Sequence, residues 1–117
     1  MNTRKIEVVF QKDQSLSEFW EGAICMSLFT AMRAKNSKRY WSIDGGKPPQ
    51  KVVPEGASQT ETHIQFQVNV SPGYAFIANS IIQKELEDLI EELTVSWKAI
   101  TELAAVTLLR TSVNLVN

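Results

Sequence analysis

With 117 residues, 44% of them apolar and 21% charged, the chain is long enough for one domain with a real core and too ordinary in composition for disorder. One cysteine excludes an intrachain disulfide, and one cysteine with one histidine leaves too few ligands for an ordinary zinc site. The net charge of −1 excludes the strongly basic balance of a dedicated nucleic-acid binder.

That charge is unevenly spread. Residues 1–51 hold nine basic and five acidic side chains, whereas residues 52–117 hold three basic and eight acidic ones. Opposite halves of this kind attract each other within one molecule or between two copies, or they mark a basic face for an anionic partner. Residues 1–117 read as a single domain. The N-terminus lacks the apolar run of a signal peptide, and no stretch has the length and apolarity of a membrane span, so a cytoplasmic protein is expected.

Lys5 to Gln11 alternates, with Ile6, Val8 and Phe10 on one face, which predicts a half-buried strand over 5–11. Ser15 and Glu18 have the form of a capping box, so a helix is expected over 16–35. From Ala23 to Met32 that helix is apolar almost all round, as in helices covered on more than one side. Cys25 lies in this run and reads as a buried structural thiol.

A short strand is expected over 39–43. Asp44-Gly45-Gly46 is a strong turn, and Lys47-Pro48-Pro49 opposes regular structure after it. Lys51 to Val53 can pair back, but residues 44–61 read mostly as an irregular loop, long enough to serve as a contact surface. His63 to Val70 alternates most clearly, with Ile64, Phe66, Val68 and Val70 inward and the amides Gln65, Gln67 and Asn69 outward. Ser71-Pro72-Gly73 then allows two readings. Either a helix begins at Pro72, or a turn leads into a strand over 74–78 and the helix begins near Ser80.

From there Ile82, Leu86, Leu89, Leu93, Trp97, Ile100, Ala104 and Leu108 form one stripe with a mean spacing of about 3.7 residues, which predicts a helix reaching about residue 113. Such a helix is roughly 50 Å long. The period suits a straight helix on a broad surface better than a coiled coil, and Thr94-Val95-Ser96 is its weakest point. Its apolar far end suggests a homodimer in which Trp97, Ile100, Leu103, Ala104 and Leu108 form the interface.

The expected fold is therefore α+β: a small three- or four-stranded sheet in β-α-β-β-α order, packed by two helices, the C-terminal one unusually long. No catalytic, cofactor or metal motif stands out. Glu85, Asp88 and Glu92 share a helical face, which a solvated surface explains better than a cation site. Gly45-Gly46-Lys47 lacks the spacing of a phosphate loop. The one constellation above background is cationic and aromatic: Arg33, Lys35, Lys38, Arg39, Tyr40, Trp41, Lys47 and Lys51 could hold phosphates while bases stack. The functional expectation is a non-enzymatic protein-interaction module, an adaptor, inhibitor or accessory subunit. It would use no cofactor and no membrane, self-associating and meeting a protein partner. Nucleic-acid binding through residues 33–51 is the alternative.

Overall fold

The computed structural model describes residues 3–12, 18–35, 41–43, 48–58, 60–97, 99 and 106–115, without the side chains of 12, 18, 19, 35 and 115. In chain order the elements are β1 (Thr3–Lys12), α1 (Glu18–Lys35), β2 (Trp41–Ile43), β3 (Gln50–Val52), β4 (Glu61–Val70), a 3₁₀ turn (Pro72–Tyr74), α2 (Asn79–Trp97) and β5 (Val106–Leu115).

The strands form one antiparallel sheet in the order β2-β4-β1-β5, with β3 beside β2 along the same edge of β4. Strand β4 thus separates β1 from β2, and β1 separates β4 from β5. Each helix connects two strands that run parallel with one antiparallel strand between them, which makes two interlocked split β-α-β units. Crossovers of one hand place both helices on one face of the sheet. The core lies between: Ile6, Val8 and Phe10 of β1, Ile64, Phe66 and Val68 of β4, Ile24, Leu28 and Met32 of α1, and Ile82, Leu86 and Ile90 of α2.

This architecture corrects the expected fold class in its last third. The sheet has five strands rather than three or four, and the order is β-α-β-β-β-α-β. The C-terminal helix is not unusually long. It ends at Trp97, runs through Thr94-Val95-Ser96 without a break, and is 19 residues in length. That is roughly 28 Å, which fits a molecule measuring 43 × 32 × 25 Å. At Ser71-Pro72-Gly73 no α-helix begins: a 3₁₀ turn leads to a helix that starts at Asn79, next to the Ser80 start of the second reading, while residues 74–78 form no strand.

The reason β5 reads as helix lies in its register. Val9 pairs with Arg110 and Phe10 with Leu108, so Leu109 has no partner on β1 and forms a bulge. Before the bulge the even positions Val106 and Leu108 turn inward; after it the odd positions Thr111 and Val113 do. A change of phase in mid-strand erases the alternation that identifies a strand. The β-branched residues Val106, Thr107, Thr111 and Val113 are the surviving sign.

Candidate functional site

Of the cationic and aromatic constellation, Arg33, Trp41 and Lys51 are the members whose side chains lie among the described residues, and the three stand in different settings. Trp41 is 1% exposed and donates its indole Nε1–H to Glu85 Oε2 at 3.0 Å, so its ring belongs to the core and offers no face for stacking. Lys51 lies 2.6 Å from Glu21, a buried carboxylate on α1 that also accepts from Thr62 Oγ1 at 3.1 Å. Arg33 is exposed on α1, its guanidinium 5.5 Å from the centre of the Phe29 ring. Lys38, Arg39, Tyr40, Lys47 and the Lys35 side chain lie outside the described residues.

The expected dimer interface is also redistributed. Trp97 is buried in the chain's own core, edge-on to Phe10 at 5.8 Å and donating to Ser27 Oγ at 3.0 Å. Leu108 packs against the same core from β5. Trp97 is thus taken up by the chain's own core, whereas Leu108 is partly buried and Leu109 on the same strand stays 40% exposed. Ile100, Leu103 and Ala104 lie outside the described residues. The supposed acidic face is divided as well: Glu85 accepts from Trp41, and Asp88 pairs with Lys84 at 2.8 Å. That hydrogen bond raises the Lys84 pKa. Among the described residues no group of three metal-ligating side chains occurs.

On the outer sheet face His63 stands between two carboxylates. Its Nε2 is 3.1 Å from Glu61 and its Nδ1 3.7 Å from Glu7, the latter too long for a hydrogen bond. Arg110 reaches Glu61 at 3.8 Å, and Gln65 donates to Glu7 at 2.9 Å. The two carboxylates approach different ring nitrogens, so the group ties β1, β4 and β5 together rather than converging on one ligand. Cys25 is inert by placement: burial pushes its thiol pKa up, and the neighbouring charge of Glu21 adds to the shift.

The feature that stands apart is the segment between β4 and α2. Between Glu61 and Lys84 the sequence has no Asp, Glu, Lys or Arg. Within that span Phe76 is 101% exposed, Tyr74 53% and Ile81 49%. The segment is nonetheless held firmly. Consecutive tight turns bond Tyr74 N–H to Ser71 O (2.8 Å), Ile77 N–H to Tyr74 O (3.0 Å) and Ile81 N–H to Ala78 O (3.1 Å). From beneath, Arg4 donates through Nη2 to Ala75 O (2.9 Å) and through Nη1 to Ile77 O (3.0 Å) and Asn79 Oδ1 (2.6 Å). Arg4 is 2% exposed, at the inward phase of β1. A buried guanidinium needs acceptors, and the loop supplies them. The chain thus fixes two carbonyls on either side of Phe76 and leaves the ring itself in water.

Sequence reasoning passed over this site because its two signals looked weak separately. One was a charge-free span with two aromatics between Pro-Gly and a helix start. The other was an arginine in phase with Ile6, Val8 and Phe10.

The outward face of α1 is the second apolar surface. Met26 is 54% exposed, and a shallow groove of about 420 Å³ is lined by Met26, Phe29, Thr30, Arg33 and Ala34. The expected cover on this side of the helix is missing among the described residues.

No protein-family model matches the chain, and no curated protein matches it. Among solved structures it is similar to the full extracellular region of zebrafish Gpr126/Adgrg6, at 16% identity and a TM-score of 0.47 over 98% of this chain. This chain spans 13% of that protein's length, and a likeness at this level carries no functional inference. Among the described residues no helix is long and apolar enough to cross a membrane.

Proposed function

We propose that this domain is a protein-interaction module that acts by contact, with the Tyr74–Ile81 segment as its contact surface. The observation that carries this reading is Phe76, wholly exposed on backbone that Arg4 holds in place. A rigidly presented aromatic ring loses little conformational freedom on binding, which is the property of interface anchors. Tyr74 and Ile81 widen the surface without adding charge.

Nucleic-acid contact has less support. Of its two aromatics, Trp41 is in the core and Tyr40 lies outside the described residues, and the helix beside the exposed segment carries Glu85, Glu87, Asp88, Glu91 and Glu92. Five carboxylates there repel phosphates, whether of nucleic acid or of an anionic membrane.

The test is photo-crosslinking in cells from a benzophenone side chain at position 76, with Gln67 on the outer sheet face as the control position. A discrete protein adduct from 76 and none from 67 is expected. No adduct from position 76 overturns the reading. Phe76→Ser should remove the contact while altering unfolding free energy by no more than about 0.5 kcal/mol, because the ring touches no core.

A further inference from the structure

We propose that β5 pairs antiparallel with the β5 of a second copy of this chain, joining two sheets edge to edge, five strands from each copy. This contact is separate from the Tyr74–Ile81 surface and does not rest on it.

The two edges of the sheet are built differently. At one, β2 and β3 are three residues each and Pro48 and Pro49 stand before β3, so little regular main chain is offered there. At the other, β5 runs for ten residues and pairs with β1 along one side. Along its second side no strand lies among the described residues. Val106–Leu115 contains no proline, no glycine and no carboxylate, and Arg110 is its one charge. A row of unpaired main-chain N–H and C=O groups selects an extended strand as its occupant.

The facing of the side chains argues for a second β5 as that strand. Against β1, the bulge residues Leu109 and Arg110 oppose Val9, while Leu108 and Thr111 on either side stay in phase with Phe10 and Val8. A second β5, turned about a two-fold axis through Thr111, reproduces this arrangement twice. Each bulge then opposes the other copy's Ser112, Leu108 meets Val113 on the helix side, and Thr107 meets Asn114 on the outer side. This register uses the whole strand and keeps inward residues opposite inward ones; shifting it by one residue sets inward side chains against outward ones. Leu108, partly exposed in one copy, gains an apolar neighbour. Charge agrees with the pairing. Each Arg110 faces Ser112 rather than a cation and has Glu61 of its own copy 3.8 Å away. The carboxylate above Thr111 is Glu87, which already accepts from Thr111 Oγ1 at 2.8 Å and Gln83 Nε2 at 3.2 Å.

The register makes the test specific. Thr107 and Asn114 are both exposed, and within one chain they stand roughly 20 Å apart, so they become neighbours only across the junction. In sedimentation equilibrium the purified full chain is expected to form a dimer. Thr107→Glu combined with Asn114→Glu sets like charges opposite each other at both ends and should weaken association at least about tenfold, whereas Thr107→Lys combined with Asn114→Glu should restore or strengthen it. Separately, Thr107→Cys and Asn114→Cys, mixed and mildly oxidised, should form the mixed disulfide dimer, and neither alone should cross-link. A monomeric unaltered chain at several hundred micromolar overturns the proposal. So does association indifferent to both charge variants, or a cross-link that forms as readily in each cysteine variant alone as in the mixture. Any of these failures leaves the adduct from position 76, and with it the Tyr74–Ile81 reading, untouched.

Discussion

Arg4 sits in phase with Ile6, Val8 and Phe10, and a cation at an inward position must find acceptors or destabilise the fold. Here the acceptors are two main-chain carbonyls and one side-chain amide oxygen, all within 3.0 Å, with Nε left without a partner. Arg4→Ala removes the donors and strands those three oxygens, so a loss of roughly 2–4 kcal/mol in unfolding free energy is expected by urea denaturation. Arg4→Lys should recover little of it, because one ammonium cannot span three acceptors as a planar guanidinium does. Side-chain chemistry set which residues have needs, but the sequence did not say who meets them. Trp41 and Trp97 were legible as large amphipathic rings; that Glu85 and Ser27 satisfy their indole N–H groups depends on separations of 44 and 70 residues. Cys25 was legible outright: it is buried in the core, as its place in an apolar run predicts.

Helix α2 and strand β5 show where periodicity works and where it fails. Ile82, Leu86, Leu89 and Trp97 are buried as their spacing predicts, because one helix packed on one sheet has one period throughout. Strand β5 has two phases joined at Leu109, and Leu108 fell by chance into the helical stripe. The bulge makes a sharp prediction. Deleting Leu109 leaves Val106, Leu108, Thr111 and Val113 all inward, so the fold should survive with a modest loss of stability. Deleting Thr111 turns Val113 outward and Asn114 inward, and should cost roughly 2–3 kcal/mol. Thermal unfolding of the two deletions side by side checks this; equal losses would mean that β5 does not follow this register. The exposed segment before α2 escaped for a different reason. Turn residues give no periodic signal, and their conformation is imposed by Arg4 from a strand over 70 residues away.

At the scale of the molecule, everything converges on β1. It is the first element in the chain, yet it pairs with β4 along one side and with the last strand, β5, along the other. The middle of β1 should therefore exchange its amide hydrogens only through global unfolding, whereas β2 and β3, three residues each at the sheet edge, should exchange through local opening. Native-state hydrogen exchange at several denaturant concentrations checks this, and β1 protection falling below that of β2 would contradict the topology. Local pattern by itself determined β1, the body of α1, β4 and the buried face of α2. In each of these a single unbroken period meets a single apolar surface, so neighbours in sequence carry the whole signal. Only the tertiary structure decided that the tail is a strand, that Trp41 and Trp97 are core, and that Phe76 is left exposed on a held backbone. Those outcomes depend on a register and on hydrogen bonds between residues far apart in the chain, which no local period encodes.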